Sequence, residues 1–244
     1  MQISKPSSLQ CSVADTQLLS SDIYRVKLTI ESNCFPDYYP GQYLMVHLQN
    51  NESSCFSIAS APKKNQQHLE LHIQRLKDSP NSQQLFQEIK EGVLNISLPA
   101  GNCYLPDTID TQQPLLFIAA GTGFSQMKSM IEHCLRHQHS GEIHLYWGAR
   151  TPADFYLPSL PVQWSGKGLH YHPVVSEANH EDDWCGRHGL LYEAILADRE
   201  QLIDCQTYLS GSPRMVYTTY DAMIENGFPK KNLYSDVFDY ASRK

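Results

Sequence analysis

Two glycines one residue apart, Gly121 and Gly123, form the segment of this sequence that is best suited to binding an anion. They follow an apolar run that ends at Ala120 and precede a predicted helix that begins near Phe124. Glycine lets the backbone approach a ligand closely, and the N–H groups at a helix N-terminus attract an anion such as a pyrophosphate. In open α/β sheets, ligands bind at this carboxyl edge of the strands. The segment therefore predicts a nucleotide-binding turn.

The turn does not complete either of the common glycine-rich motifs. Gln126 occupies the third glycine position of the dinucleotide-binding fingerprint. Arg150 stands at the end of the next predicted strand, where an acidic residue would bind a ribose hydroxyl. No Gly-Lys-Ser/Thr triplet follows, so the segment is not a P-loop. Its spacing alone leaves two interpretations open, a nucleotide-binding turn or an ordinary tight turn.

The region from about Pro114 onward alternates between apolar runs and amphipathic helices. Leu115–Ala120 is a continuous apolar run, which is typical of a strand buried on both faces. The apolar residues of the next helix recur at helical spacing, and they are Met127, Met130, Ile131, Cys134 and Leu135. Further strands are predicted at 143–149, 170–176, 207–209 and 233–238, and further helices at 190–197 and 214–225. Strands that alternate with helices predict a parallel, doubly wound sheet.

The N-terminal part of the chain shows the two-residue alternation of β-strands instead. The clearest run is 23–30, in which Tyr24, Val26, Leu28 and Ile30 alternate with polar residues. Similar strands are predicted at 42–48, 55–59, 69–76 and 93–98, with a helix at 83–91. Short strands at this spacing predict a small barrel or sandwich. The polar stretch 107–113 separates the two parts, which predicts domains of 1–109 and 110–244.

Composition excludes several classes of protein. The chain has 26 acidic and 19 basic residues and a formal charge of −7, which argues against nucleic-acid binding. No apolar run is long enough to span a membrane, and the N-terminus lacks the apolar core of a secretory signal, so we expect a cytoplasmic protein. The seven cysteines include no Cys-x-x-Cys pair, and His133 and His137 have no third candidate ligand nearby. We therefore expect no metal site.

Five segments resemble, in order and spacing, the ferredoxin–NADP reductase superfamily. They are Gly41–Leu44, Cys55–Ser60, Pro99–Gly101, Phe117–Ser125 and Tyr208–Met215. Within the superfamily, Tyr146–Arg150 and Ser235–Phe238 look most like the bacterial NAD(P)H-flavin reductases. The resemblance implies an N-terminal antiparallel six-stranded Greek-key β-barrel that binds flavin. It also implies a C-terminal α/β domain, a doubly wound parallel sheet that binds NADH or NADPH.

The resemblance assigns the flavin to the strand that contains Cys55, Phe56 and Ser57. Ser57 is implied to be catalytic, because its hydroxyl would hydrogen-bond near N5, the flavin atom that receives hydride from nicotinamide C4. The neighbouring segment of Leu71, His72 and Ile73 is implied to contact the flavin through its backbone.

The resemblance assigns the pyridine nucleotide to two loops. The first loop supplies Gly121, Thr122, Gly123 and Ser125 for the pyrophosphate and nicotinamide. The second loop faces it from the start of another helix and consists of Gly211, Ser212, Pro213 and Met215. Arg150 would lie near the adenosine end, and Phe238 is also assigned to cofactor binding. Relatives that use NADH also have arginine at this place, so the choice between NADH and NADPH is left open.

Two residues depart from the family pattern. Ser54 stands where the family has an arginine that contacts the phosphate groups of the flavin. Losing that contact would weaken flavin binding by about 1.5–3 kcal/mol, on the order of ten- to a hundredfold. Ser210 stands where many relatives have a cysteine. We therefore expect FAD or FMN to be a loosely bound substrate.

The reduced flavin is expected to pass its electrons to ferric iron, to oxygen or to a flavin-accepting enzyme. Two alternatives stay open at this point. The chain could be an electron-transfer reductase with tightly bound FAD that serves a protein partner such as an oxygenase. It could also be a non-catalytic nucleotide-binding module, an interpretation that only Ser54 supports.

Overall fold

The computed structural model describes residues 7–31, 34–177, 183–241 and 243. The chain forms two compact units. The first comprises the residues up to Thr108 together with Lys128–His133, and the second comprises Ile109–Met127 together with the residues from Cys134 onward. Within the described ranges, no helix has the length and apolar character needed to cross a membrane.

The first unit is built on one antiparallel sheet of six strands. The strands are β1 (Ser7–Leu18), β2 (Ile23–Thr29), β3 (Tyr43–His47), β4 (Ser53–Ser57), β5 (His68–Gln74) and β6 (Val93–Ala100), with helix α1 (Pro80–Glu91) between β5 and β6. Their order in the sheet is β4-β3-β6-β1-β2-β5. Just beyond β4, the Ala59 N–H donates to the Glu70 carbonyl of β5 at 2.7 Å, so the sheet curls and the chain leaving β4 contacts the other edge strand. The predicted antiparallel six-stranded architecture is confirmed.

The core of the first unit follows from strand alternation. Val26, Leu28, Leu44 and Ile96 are fully buried, as the two-residue period predicts. Helix α1 adds Leu85 and Ile89 to this core. The helix begins where the Ser79 side chain accepts the Ser82 N–H, and it ends at Gly92, whose φ of 90° favours glycine.

The second unit is built on six parallel strands. They are β7 (Leu115–Ala120), β8 (Ile143–Ala149), β9 (Leu169–Val175), β10 (Arg187–His188), β11 (Gln206–Ser210) and β12 (Leu233–Tyr234). The helices that follow β7 are α2 (Phe124–Arg136), α3 (Ser159–Ser165), α4 (Leu191–Ala197), α5 (Arg199–Leu202), α6 (Pro213–Glu225) and α7 (Val237–Tyr240). The middle of α2, Lys128–His133, belongs to the first unit. The strand order is β10-β9-β8-β7-β11-β12. The predicted parallel sheet is confirmed.

Strand β7 lies where the chain reverses its direction of travel across the sheet. The strands that follow it lie on one side as far as β10, and β11 and β12 lie on the other. Such a switch point opens a crevice at the carboxyl ends of the central strands. The fold therefore places the two glycines that follow β7 at the expected ligand-binding edge.

The structure differs from the prediction in several elements. Strands β1 and β10 and helices α3 and α5 were not predicted, and the strand predicted at 233–238 ends at Tyr234. The residues after Tyr234 turn into helix α7, and the Phe238 ring packs against Tyr220 of α6 with a centroid distance of 5.0 Å. Packing against α6 therefore overrides the strand-like alternation of this segment.

Candidate functional site

The turn after β7 contains two glycines that meet different needs. Gly121 has a φ of 53°, a left-handed conformation that side chains disfavour, and within the described chain a Cβ added there would meet nothing within 4 Å. Gly123 instead lies against the backbone of β11, because an added Cβ would lie 2.3 Å from the Ser210 carbonyl oxygen. Gly121 therefore leaves open space above the turn, while Gly123 lets the turn contact the next strand of the sheet.

The second predicted loop lies beside this turn, at the start of helix α6. A Cβ on Gly211 would lie 3.3 Å from the Ala120 Cβ and 2.4 Å from the Met215 Cε. Ser212 caps the helix by accepting the Met215 N–H at 3.3 Å, and Pro213 occupies the first turn. Two helix N-termini, those of α2 and α6, thus lie at one edge of the sheet, and both can attract the phosphates of a nucleotide.

Ser125, in the first turn of α2, carries a hydroxyl that fits a ligand. The residue is only 2% exposed, and among the described residues its Oγ has no hydrogen-bond partner. A buried polar atom without a partner costs free energy unless a ligand or water completes it. Together with the open space above Gly121 and the half-buried Thr122, this hydroxyl fits the polar groups of a dinucleotide.

The remaining nucleotide-site candidates of the sequence lie at or near the same edge. Arg150 follows the end of β8, the strand beside β7, and is exposed. Phe238 is half-buried against α6. Gln126, which replaced the third glycine of the fingerprint, has a physical explanation: its amide donates to the Asp236 carboxylate at 2.8 Å and ties the segment before α7 to helix α2.

Strand β4 carries the residues predicted to bind flavin. It is an edge strand paired with β3, with Ser57 opposite Tyr43 and Ser54 opposite Val46. Edge strands present backbone donors and acceptors on their outer side. Cys55 is exposed, Ser54 and Ser57 are half-buried, and Phe56 packs partly against the hydrophobic core. A polar edge beside a partly exposed aromatic ring fits a flavin, which is flat, apolar on its faces and polar on its rim.

Strand β5 divides the second flavin segment between two environments. Leu71 and Ile73 are buried in the core of the curled sheet. His72 points to the other side of the strand, where its Nε2 lies 2.8 Å from Glu70 Oε1. Burial lowers the pKa of His72, although Glu70 partly opposes that shift. His72 is therefore neutral near pH 7, and its contact with the carboxylate assigns the ring proton to Nε2.

The sequence did not identify the buried charges that lie beside this segment. Lys128 of α2 contacts Glu70 at 3.3 Å and Glu132 at 3.0 Å, and its ammonium donates to the Ala59 carbonyl at 3.2 Å. Burial alone would raise the pKa of Glu70, but the hydrogen bond from His72 and the charge of Lys128 lower it to about 2. The sequence contained one indication that Lys128 is buried: it lies only about 60° around the helix from the apolar Ile131.

Comparison with known proteins agrees with this two-part arrangement. The chain is 30% identical over 241 residues to the NAD(P)H-flavin reductase of Vibrio harveyi, covering 96% of this chain and 99% of that protein. It is 35% identical over 241 residues to the probable flavin reductase of Photobacterium leiognathi, covering 94% and 98%. Among solved structures, the ferredoxin reductase in carbazole 1,9a-dioxygenase has a TM-score of 0.80 at 24% identity, over 95% of this chain and 69% of that one.

Two domain families match successive parts of the chain. Residues 10–104 match the oxidoreductase FAD-binding domain, and residues 117–221 match the oxidoreductase NAD-binding domain. These matches confirm the resemblance inferred from the five sequence segments. The chain belongs to the ferredoxin reductase family of FAD- and NAD-binding oxidoreductases, together with proteins named NAD(P)H-flavin reductase.

Proposed function

We propose that this protein is an NAD(P)H-dependent flavin reductase that binds flavin as a passing substrate and releases it reduced. Ser54 is the observation that favours flavin as a substrate over flavin as a permanently bound cofactor. Its half-buried position on β4 offers the flavin phosphates a neutral hydroxyl instead of a guanidinium. The similarity to a Vibrio harveyi protein named NAD(P)H-flavin reductase, over 99% of that protein, supports the reaction itself.

The proposed reaction asks this chain to position its substrates and asks little else of it. When bound, the nicotinamide supplies a hydride from C4 and the flavin accepts it at N5. The Gly121–Gly123 turn, the Ser125 hydroxyl and the N-terminus of α6 would orient the nucleotide. Ser57 would donate a hydrogen bond at the N5 edge of the flavin. No side chain has to act as a strong acid or base, so orientation supplies most of the rate enhancement.

A second function needs a test because the chain is also 28% identical over 228 residues to the protein named terephthalate 1,2-dioxygenase, reductase component 2 of Comamonas sp., covering 93% of this chain and 67% of that protein. In that case the protein would keep FAD bound and pass electrons to a protein partner. The two functions predict different colours for the purified protein. A flavin reductase would be colourless and would oxidise NADH or NADPH only when flavin is added. A FAD-bound reductase would be yellow.

The deciding experiment measures NADH and NADPH oxidation with riboflavin, FMN and FAD added separately. We expect a colourless protein whose rate of NADH or NADPH oxidation rises with the concentration of added flavin. A yellow protein whose activity does not depend on added flavin would favour the second function. A colourless protein inactive with every combination would overturn both functions. The physiological acceptor, whether ferric iron, oxygen or an enzyme, and the cytoplasmic location stay predictions.

A gain-of-function variant tests the role of Ser54 directly. Ser54→Arg should tighten the binding of FAD or FMN by on the order of ten- to a hundredfold, because it restores a charge-assisted contact with phosphate. Riboflavin, which has no phosphate, should bind as before. The matched control is Ser53→Arg, one residue away on the opposite face of β4. Equal tightening by both variants would mean that only net charge matters and would contradict the proposed contact.

A further inference from the structure

We propose that Lys128 is a positioning residue for flavin binding: its buried ammonium holds the Ala59 carbonyl and so fixes the chain that continues from Ser57. The inference rests on the proposed flavin site at β4, and it adds a residue that the motifs of the sequence do not include.

In the segment after β4, nearly every polar group of Ala59 and Ser60 makes a hydrogen bond. The Ala59 N–H donates to the Glu70 carbonyl at 2.7 Å, and the Ala59 carbonyl accepts from Lys128 at 3.2 Å. The Ser60 carbonyl accepts from the Tyr38 hydroxyl at 2.9 Å and from the Ser129 hydroxyl at 3.0 Å. We call these hydrogen bonds at Ala59 and Ser60 the clamp. Ser57 ends β4 two residues before Ala59, so the clamp restricts the direction of the chain at Ser57.

Lys128 is the charged member of the clamp and is buried. Its side chain is only 8% exposed, and it lies between the carboxylates of Glu70 and Glu132. Glu70 also accepts from His72 at 2.8 Å, which leaves this carboxylate oriented from two sides. Because Glu70 keeps a pKa of about 2, the carboxylate that faces the ammonium is ionised throughout the working range of pH.

A buried ammonium is a costly way to stabilise a fold. Removing a charge from water costs several kcal/mol, and an apolar side chain of the same volume often stabilises a core equally well. A charged donor does supply one thing that an apolar side chain cannot, which is a strong directional hydrogen bond to a carbonyl. The geometry at Ala59 uses that property, so the expected role of Lys128 is to position the flavin strand.

Three variants separate positioning from simple stability. Lys128→Met keeps the length of the side chain and removes its charge and donor. Lys128→Arg keeps the charge and donors. Glu132→Gln is the matched control, since Glu132 contacts Lys128 at 3.0 Å and makes no hydrogen bond to Ala59 or Ser60 among the described residues. Each variant is assayed for KM and kcat with FMN and with NADH or NADPH, and its melting temperature is recorded.

We expect Lys128→Met to raise the KM for FMN by at least about tenfold, with kcat at saturating FMN lowered less than about threefold. The KM for the nucleotide should stay within about twofold, because the partners of Lys128, namely Glu70, Glu132 and Ala59, all lie in the first unit. Lys128→Arg should recover most of the FMN affinity, and Glu132→Gln should retain it.

An unchanged KM for FMN in folded Lys128→Met would overturn the inference, as would equal rises for FMN and the nucleotide. If Lys128→Met does not fold, Lys128→Gln decides, because it keeps an N–H donor without the charge. Lys128→Gln should then raise the KM for FMN by about threefold or more, and an unchanged value would overturn the inference. Wild-type protein without flavin-dependent NAD(P)H oxidation would instead overturn the proposed function, so the two failures are distinguishable.

Discussion

The two candidate ligand regions of this protein are built by opposite means. The segment after β4, the candidate flavin strand, is held by side chains, namely a buried lysine, two carboxylates and two hydroxyls around Ala59 and Ser60. The nucleotide edge is shaped by side chains that are missing, because Gly123 lets the turn contact Ser210 and Gly121 leaves space above it.

This difference determines how each region responds to change. A glycine contact is steric, so a single methyl group displaces backbone and the effect is abrupt. A network of charges and hydroxyls depends on ionisation, so it weakens gradually as donors are removed or acceptors are protonated. Substitutions at the nucleotide edge should therefore act through shape, and changes at the flavin segment should act through charge.

Gly123→Ala should produce the largest effect. The new Cβ would lie 2.3 Å from the Ser210 carbonyl oxygen and 2.5 Å from the Ser210 carbonyl carbon, so backbone must move. A displacement of this kind at a reacting centre costs about 100-fold, and we expect kcat/KM for NADH or NADPH to fall by that order. Flavin affinity, measured by quenching of flavin fluorescence, should stay within about twofold.

Gly166→Ala is the matched control for that substitution. Gly166 has an ordinary helical φ of −65°, and an added Cβ would meet its nearest neighbour, the Gln163 carbonyl oxygen, at 3.5 Å. The variant should therefore keep full activity. Loss of flavin affinity in Gly123→Ala comparable to its loss of nucleotide affinity would break the distinction between the two regions.

The sequence predicted the parts of the fold that carry periodic signals. The apolar run of β7 and the alternation of β2 are local patterns, and both strands are present. Strand β1 carries only a short alternation, Leu9, Cys11 and Val13, and Cys11 is its single buried residue. It is stabilised by ladders with β2 and β6, and the pairing with β6 joins residues far apart in the chain. That information is absent from any short window of sequence.

The candidate site, like the fold, was predictable where a local pattern in the sequence indicated it. The spacing of two glycines identified the nucleotide edge, because a glycine in the sequence directly indicates a place where the backbone turns or approaches a neighbour closely. The cluster around Lys128 depends on side chains from β5 and α2 that meet only in the folded unit. Gln126 shows the same limit, since its partner Asp236 lies 110 residues further along the chain.

Ser125→Ala tests whether the hydroxyl at the nucleotide edge serves a ligand. Its Oγ has no partner among the described residues, so removing it should leave the melting temperature unchanged or raise it slightly. The KM for NADH or NADPH should nevertheless rise by about three- to tenfold, the worth of one hydrogen bond.

Ser129→Ala, four residues further along α2, supplies the contrast. Ser129 is also buried, but its hydroxyl donates to the Ser60 carbonyl at 3.0 Å. Its removal should lower the free energy of unfolding by about 1 kcal/mol and leave the nucleotide KM unchanged. If Ser125→Ala is destabilised as much as Ser129→Ala and binds nucleotide normally, the Ser125 hydroxyl has a structural partner and no ligand role.

Acidification should have the smallest effect, and it should act on the flavin region. The pKa of His72 is lowered, so the stability that neutral His72 contributes is fully present above its ordinary pKa of about 6.5 and is lost as the pH falls below it. Protonated His72 would carry its charge beside Lys128 and Arg25 and would compete with Lys128 for Glu70. Glu70 stays ionised across this range, since its pKa is about 2.

We therefore expect the dissociation constant for riboflavin to stay constant above pH 6.5 and to rise as the pH falls below it. Riboflavin is the correct probe because it lacks the phosphate of FMN, which titrates near pH 6. His72→Gln should flatten this dependence. His172→Gln is the control: burial lowers the pKa of His172 to about 4, but this residue lies in the second unit, stacked on Tyr146. If His172→Gln flattens the riboflavin profile as much as His72→Gln does, the pH effect reports general acid loosening of the fold, and the charge dependence assigned to the flavin segment is wrong.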